Sequence, residues 1–251
     1  MLCAFDVSEP SMLAAHAAAW LAGELGAPLE LVYVLDPGAL PALPPRGPAR
    51  DPHLRQHLYK LQERRVAASA REDLDAAVCA LPAEDASGTV LTGWPVEQLR
   101  RRATERQAAL LVSGTAARRG FQHILRGSVS GDLAAEAPCP LVAVPPDAAL
   151  AEPGPVLVGD DGSDHAGRAV RHAEALAGRL GRELVRHHVE DGDPVEELAR
   201  AAHEQRACLA VTGTRGRGPL RGQLLGSVST GLVRAAGRPV MLVSQRAGSP
   251  A

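Results

Sequence analysis

The sequence has one lysine (Lys60), one isoleucine (Ile124) and no asparagine, against 26 arginines, the bias that a GC-rich coding sequence imposes. The lack of lysine excludes one class. Walker-type nucleotide binding needs a glycine-rich loop ending in Gly-Lys-Ser/Thr, and no such loop surrounds Lys60. Aromatic residues make up 2% of the chain, too few for the stacking platforms of single-strand nucleic-acid binding. Charges nearly balance, to a net −2, so no bulk basicity holds a polyanion such as DNA. No apolar run approaches the ~20 residues of a membrane span. No signal peptide is expected ahead of the first strand, so the expectation is a cytoplasmic protein that binds neither nucleic acid nor membrane. Cys3, Cys79, Cys139 and Cys208 stand far apart without a CxxC pair. They read as buried thiols in a reducing compartment, not as a disulfide frame or zinc site.

What is present is a chain of 251 residues, 45% apolar and 22% charged, long enough for one or two domains with a real core. It contains a repeat. Gly114-Thr115-Ala116-Ala117 and Arg126-Gly127-Ser128-Val129-Ser130 match Gly213-Thr214-Arg215-Gly216 and Leu225-Gly226-Ser227-Val228-Ser229 at an offset of 99. The same offset carries Pro95 onto Pro194 and Pro140 onto Pro239. The starts align at an offset of 155, with Ala4-Phe5-Asp6-Val7-Ser8 on Gly159-Asp160-Asp161-Gly162-Ser163, so the second copy lacks 56 residues. Domains are expected at 1–146 and 154–251, joined near Pro145–Pro155. A period near 100 is domain-sized, not a solenoid repeat.

Each copy alternates short apolar runs with helical patterns. Leu2–Asp6, Leu29–Leu35, Thr89–Thr92, Ala109–Ser113 and Leu141–Val144 read as strands. Leu13, Ala17, Leu21 and Leu25 share a helix face ahead of Gly26, with Ser11 as the expected N-cap. Helices are also expected over 54–81, 96–107 and 128–136. The second copy reads as strands 156–160, 183–189, 208–212 and 240–244, with helices 166–180, 195–204 and 227–235. Such alternation specifies an α/β fold: two tandem doubly wound, Rossmann-like parallel sheets with helices on both faces, the second shortened by one strand–helix unit.

In such a sheet ligands sit at the carboxyl ends of the strands. There the second copy places Asp161-Gly162-Ser163, then Gly213-Thr214-Arg215-Gly216, then Gly226-Ser227 at a helix start. Glycine amides close on an anion without a Cβ in the way, and a helix N-terminus adds unpaired N–H groups and about half a positive charge. Ser227 and Ser229 add hydroxyls, and Arg215, Arg217 and Arg221 add charge. The result is a phosphate cradle built without lysine.

The pattern Gly-x2-Gly-x9-Gly-Ser, with Leu224–Ser229 and Pro239–Val243 around it, resembles the universal stress protein family in its ATP-binding branch. The resemblance covers nearly the whole chain as a tandem pair. It implies an adenosine contact at Asp161 and Asp6, and an adenine wall at Val34. Val189 is the matching residue if 183–189 is the second strand of its copy; the segment aligns as well with the third. Ribose and phosphates fall to Gly162, Gly213, Thr214, Arg215, Gly216, Gly226, Ser227 and Ser229, and in the first copy to Gly114, Gly127, Ser128 and Ser130. The first copy departs from the pattern at Ala117, where a glycine is wanted, and at Val7.

The implied function is a stress-response sensor or regulator that binds ATP, with or without Mg2+, and hydrolyses it slowly or not at all. No catalytic residue or metal site is expected. The alternative is a nucleotide-free interaction module with decayed sites. The apolar last strands, 141–144 and 240–244, are expected to cover each other in an intramolecular pseudo-dimer, with a homodimer of chains also open. Arg100-Arg101-Arg102 and Arg118-Arg119 read as solvated charge, His53 and His57 as a solvated face, and Trp20 and Trp94 as packing residues.

Overall fold

The computed structural model describes residues 1–40, 52–115, 128–188, 192–214 and 226–250. The first half runs β1 (Leu2–Phe5), α1 (Glu9–Leu25), β2 (Leu29–Leu35), α2 (Pro52–Ala80), β3 (Ala86–Thr92), α3 (Pro95–Glu105), β4 (Leu111–Gly114), α4 (Val129–Glu136) and β5 (Leu141–Val144). The second runs β6 (Val156–Gly159), α5 (Asp164–Leu180), β7 (Leu184–His187), α6 (Pro194–Glu204), β8 (Leu209–Gly213), α7 (Ser227–Ala235) and β9 (Val240–Val243). Among the described residues it has one strand and one helix fewer than the first.

The nine strands of the described residues join one sheet in the order β3-β2-β1-β4-β5-β9-β8-β6-β7. Neighbours are parallel except at the centre, where β5 and β9 run antiparallel with Leu141 opposite Leu242, Val142 opposite Met241 and Ala143 opposite Val240. Strand side chains alternate between faces. Cys3, Phe5, Val112, Val142, Val156, Val158, Leu209, Val211 and Met241 face α1, α2 and α5. Leu2, Leu111, Leu141, Leu157, Ala210 and Leu242 face α3, α4, α6 and α7. Burial on both faces explains why these strands read as continuous apolar runs.

Helix ends follow local chemistry. Ser8 and Ser163 cap α1 and α5 by accepting from the amides of Ser11 and Ala166, and Gly26 and Gly181 close them at φ 57° and 61°. Ser11 is therefore not the cap. Pro10 has no N–H to satisfy and fits the first turn, so the helix begins ahead of it. The Ser11 hydroxyl instead donates to the Ser8 carbonyl at 2.9 Å.

The position of β7 resolves the ambiguity of segment 183–189. It pairs with β6 with Gly159 opposite His187, as β2 pairs with β1 with Ala4 opposite Val32. It thus takes the place of β2, while its exit into Pro194 aligns with the exit of β3 into Pro95.

Two readings of composition are corrected. Cys79 is exposed on α2, whereas Cys3, Cys139 and Cys208 are buried, and burial pushes the Cys3 and Cys139 thiols up to about 12. Of the arginine run, Arg101 is exposed and reaches Glu105 at 3.4 Å, and Arg102 is the one that turns inward. Arg100 pairs with Glu136 at 2.8 Å. Arg102 and Arg106 both pair with Glu30, which is buried on β2 and also accepts from Thr89. Residues 118 and 119 lie outside the described residues.

The Glu30 cluster pins α3 to the sheet and makes a pH prediction. Burial raises the Glu30 pKa, but the Arg102 and Thr89 hydrogen bonds and the Arg102 and Arg106 charges outweigh it and hold the carboxyl below its usual range. A depressed folded-state pKa contributes stability that is complete above the unfolded value, ~4.3, and is lost as pH falls through the folded value. Glu30→Gln should cost about 3 kcal/mol near neutral pH, read from urea midpoints. The gap between wild type and variant should shrink on acidification below ~4. A gap that does not change with pH would refute this account.

Candidate functional site

Strand order fixes where a ligand can lie. The chain leaves β1 toward β2 on one side, then crosses back to place β4 on the other. The crevice between the carboxyl ends of β1 and β4 is therefore a switch point, and β6 and β8 repeat it. Among the described residues, Asp6, Gly114 and Ser128 lie at the first of these edges and Asp161, Gly162, Gly213 and Ser227 at the second.

Asp6 and Asp161 follow β1 and β6. The Asp6 carboxylate accepts from the Ser8 amide at 3.1 Å and from the Ser8 hydroxyl. The Asp161 carboxylate accepts from the Ser163 amide at 3.0 Å. Each carboxylate thus orders the turn that starts the next helix, and Asp6 is exposed beyond it. The turn needs a left-handed residue: Gly162 has φ 71° and Val7 φ 66°. Glycine takes that conformation freely; a β-branched residue is strained in it. Val34 stands half-buried near the end of β2.

Gly114 and Gly213 end β4 and β8 and have a packing role. A Cβ on Gly114 would fall 2.2 Å from the Pro10 carbonyl oxygen in the first turn of α1. One on Gly213 would fall 2.8 Å from the His165 carbonyl oxygen in α5. Their own carbonyls accept from Ser130 at 2.7 Å and Ser229 at 2.9 Å. Both serines are buried, so their hydroxyl protons latch α4 and α7 to the sheet instead of facing solvent. Thr214 is also buried, with its amide donating to Val243.

The two helix starts differ. In the first half Ser128 is the N-cap of α4, and its hydroxyl accepts from the Gly131 amide at 3.2 Å. In the second half the helix begins one place earlier. Gly226 is the N-cap of α7, no side chain caps it, and Ser227 is the exposed first residue. One orphan amide at the positive end of the helix is thus satisfied by a serine hydroxyl in α4, whereas among the described residues no side chain caps α7. Gly127, Val189, Arg215 and Gly216 lie outside the described residues, as do Ala117, Arg217 and Arg221. Among the described residues no group of three or more His, Cys, Asp and Glu is placed to hold a metal ion, and no helix is long and apolar enough to cross a membrane.

The packing role expected of Trp94 does not hold: the residue is 67% exposed at the end of the β3–α3 turn. Its repeat counterpart, Asp193, is a helix cap that accepts from Val195 at 2.8 Å. That mismatch within the repeat was the available signal.

The sequence profile of the universal stress protein family matches residues 1–145 and 181–244. A universal stress protein of Mycobacterium tuberculosis is 31% identical over 185 residues, 55% of this chain and 63% of that protein. One of Mycolicibacterium smegmatis is 32% identical over 186 residues, 56% of this chain and 63% of that protein. The match thus spans less than two thirds of either relative. A universal stress protein structure from Archaeoglobus fulgidus shares the fold with TM-score 0.68 at 19% identity, covering 97% of this chain and 98% of that one. A structure from Pseudomonas aeruginosa shares it with TM-score 0.53 at 15% identity, covering 97% and 92%.

The glycine contacts predict graded damage. Gly114→Ala meets backbone that cannot step aside and should destabilise by about 3 kcal/mol, as overpacking does. Gly213→Ala, with the looser approach, should lose less. Equal losses in urea denaturation would contradict the packing role. Val7→Gly should relieve left-handed strain and raise stability by about 1 kcal/mol, since Val7 buries little surface. A lower urea midpoint would refute that strain.

Proposed function

The chain belongs to the universal stress protein family, and on that premise we propose that it is a tandem member of the ATP-binding branch. It binds ATP at the carboxyl edge of the second half and acts as a stress-response sensor or regulator, with hydrolysis slow or absent. The observation that carries this reading is the start of α7, where Gly226 is the N-cap and, among the described residues, no side chain caps the first-turn amides. The loop glycines Gly213 and Gly216 lead into it, and Arg215 and Arg217 bring cations to the same segment. Val189 is assigned the adenine wall. In sequence it follows His187 by two places, as Val34 follows Val32, and the β6–β7 and β1–β2 registers make His187 and Val32 equivalent. Asp161 takes the adenosine contact, and Mg2+ accompanies the phosphates where ATP carries it.

The two halves form an intramolecular pseudo-dimer with domains 1–146 and 154–251. The β5–β9 pairing supports this, because each last strand covers an edge that an isolated half would expose. It also suggests how binding is reported. Helix α7 runs directly into β9, so charge bound at its N-terminus acts on the strand that joins the halves. We place the protein in the cytoplasm on the absence of disulfide-type cysteine spacing.

Native mass spectrometry of the purified chain should show a bound adenine nucleotide, and calorimetry should show ATP binding more tightly than adenosine, by a margin that narrows with salt. Gly216→Val should remove most ATP binding. Arg215→Ala with Arg217→Ala should remove most of the ATP-over-adenosine margin. Equal affinities for ATP and adenosine at low salt in the wild type, or no ATP binding, would overturn the reading.

A further inference from the structure

Three large apolar side chains stand exposed around the carboxyl edge of the first half: Val7 at 44%, Trp94 at 67% and Val129 at 37%. Their repeat counterparts are Gly162, Asp193 and the partly buried Val228. The second half therefore uses at two of these places the residues that folding favours: a glycine at positive φ and an aspartate that caps its helix. The first half gives up both. Val7 is held at φ 66°, and Trp94 occupies the N-cap of α3 with no side-chain cap bond. Replacing a capping residue forfeits about 1 kcal/mol, and an exposed indole leaves a large apolar surface in water. Two departures from local preference at one edge mark a site shaped by something other than folding.

Trp94 stands beside the end of β2, the strand next to β1. The Gly93 amide donates to the Leu35 carbonyl at 3.0 Å, tying the turn to the end of β2. The Trp94 ring lies beside the turn that follows β2, with Cη2 3.9 Å from where a Cβ on Gly38 would sit. Val34 is the half-buried residue just before that turn and pairs with Leu91 on β3. The Trp94 indole N–H makes no hydrogen bond among the described residues. The phosphate side is weaker here, because Ser128 closes α4 with its own hydroxyl.

We propose that Trp94 is a stacking surface for the purine base of a ligand at the first half's carboxyl edge, so that this half holds an adenine nucleoside or nucleotide chiefly by its base while the second half holds one chiefly by its phosphates. The inference rests on the reading of the chain as an adenine-nucleotide binder. Base–aromatic stacking tolerates different bases and is not ionic, so adenosine binding at this half is insensitive to salt, in contrast to the ATP margin at the other.

The experiment uses the full chain. Its two tryptophans are Trp94 and Trp20; Trp20 is packed against the opposite face of the sheet. Adenosine is titrated while emission and heat are followed, with Trp94→Phe and Trp94→Ala alongside. The expected result is quenching in the wild type that is absent in Trp94→Phe, and a roughly tenfold loss of adenosine affinity in Trp94→Ala with most of it kept in Trp94→Phe. Ribose 5-phosphate, which lacks a base, should not quench. Adenosine heat with unmoved Trp94 emission and an unchanged Kd in Trp94→Ala overturns this inference and leaves the proposed function standing. Absence of heat with both adenosine and ATP overturns both. Emission that changes with protein concentration in the absence of nucleotide assigns Trp94 to a protein contact and overturns the inference.

Discussion

The antiparallel pairing of β5 with β9 is the constraint on which the rest of the molecule depends. Every other strand contact is parallel and lies within one half. The paired residues Leu141, Val142, Ala143, Val240, Met241 and Leu242 are all nearly inaccessible, so a short ladder closes two apolar edges at once. The strand orders of the halves mirror each other outward from this antiparallel seam. The first half extends to β2 and β3; the second stops at β7. Loss of a strand and helix from the second half leaves the seam untouched, since the missing strand would lie at the far edge.

Fold and site draw on the same residues at the carboxyl edges. Gly114 and Gly213 admit the first turn of a helix against the end of a strand, and their carbonyls receive the buried serine latches. The first turns of α1 and α5, and of α4 and α7, are thereby held to the ends of β4 and β8. A glycine that reads as a phosphate-loop residue is thus already required for packing, before any ligand is considered.

The halves have diverged in opposite senses around a shared frame. The second keeps an unstrained turn at Gly162, a capped α6 and, among the described residues, an α7 with no side-chain cap. The first has a strained turn at Val7, an uncapped α3 that displays Trp94 and an α4 closed by Ser128. An uncapped helix start on one side and an apolar rim on the other follow from these substitutions alone.

The sequence by itself determined the repeat, the alternation of strands and helices, the missing unit and the glycine–serine pattern. All of these are written in short periods or fixed offsets, which burial on two sheet faces and one helix face imposes locally. It did not determine which neighbour β7 would take, because its apolar run fits either alignment and only hydrogen bonding to β6 chooses between them. Nor did it show that Arg102 turns inward, since its partner Glu30 stands 72 residues away in the chain. The buried direction of Ser130 and Ser229 and the exposure of Trp94 were likewise settled by tertiary structure. Whether a side chain faces a carbonyl, an ion pair or water depends on which elements the sheet brings beside it, and no local pattern encodes that.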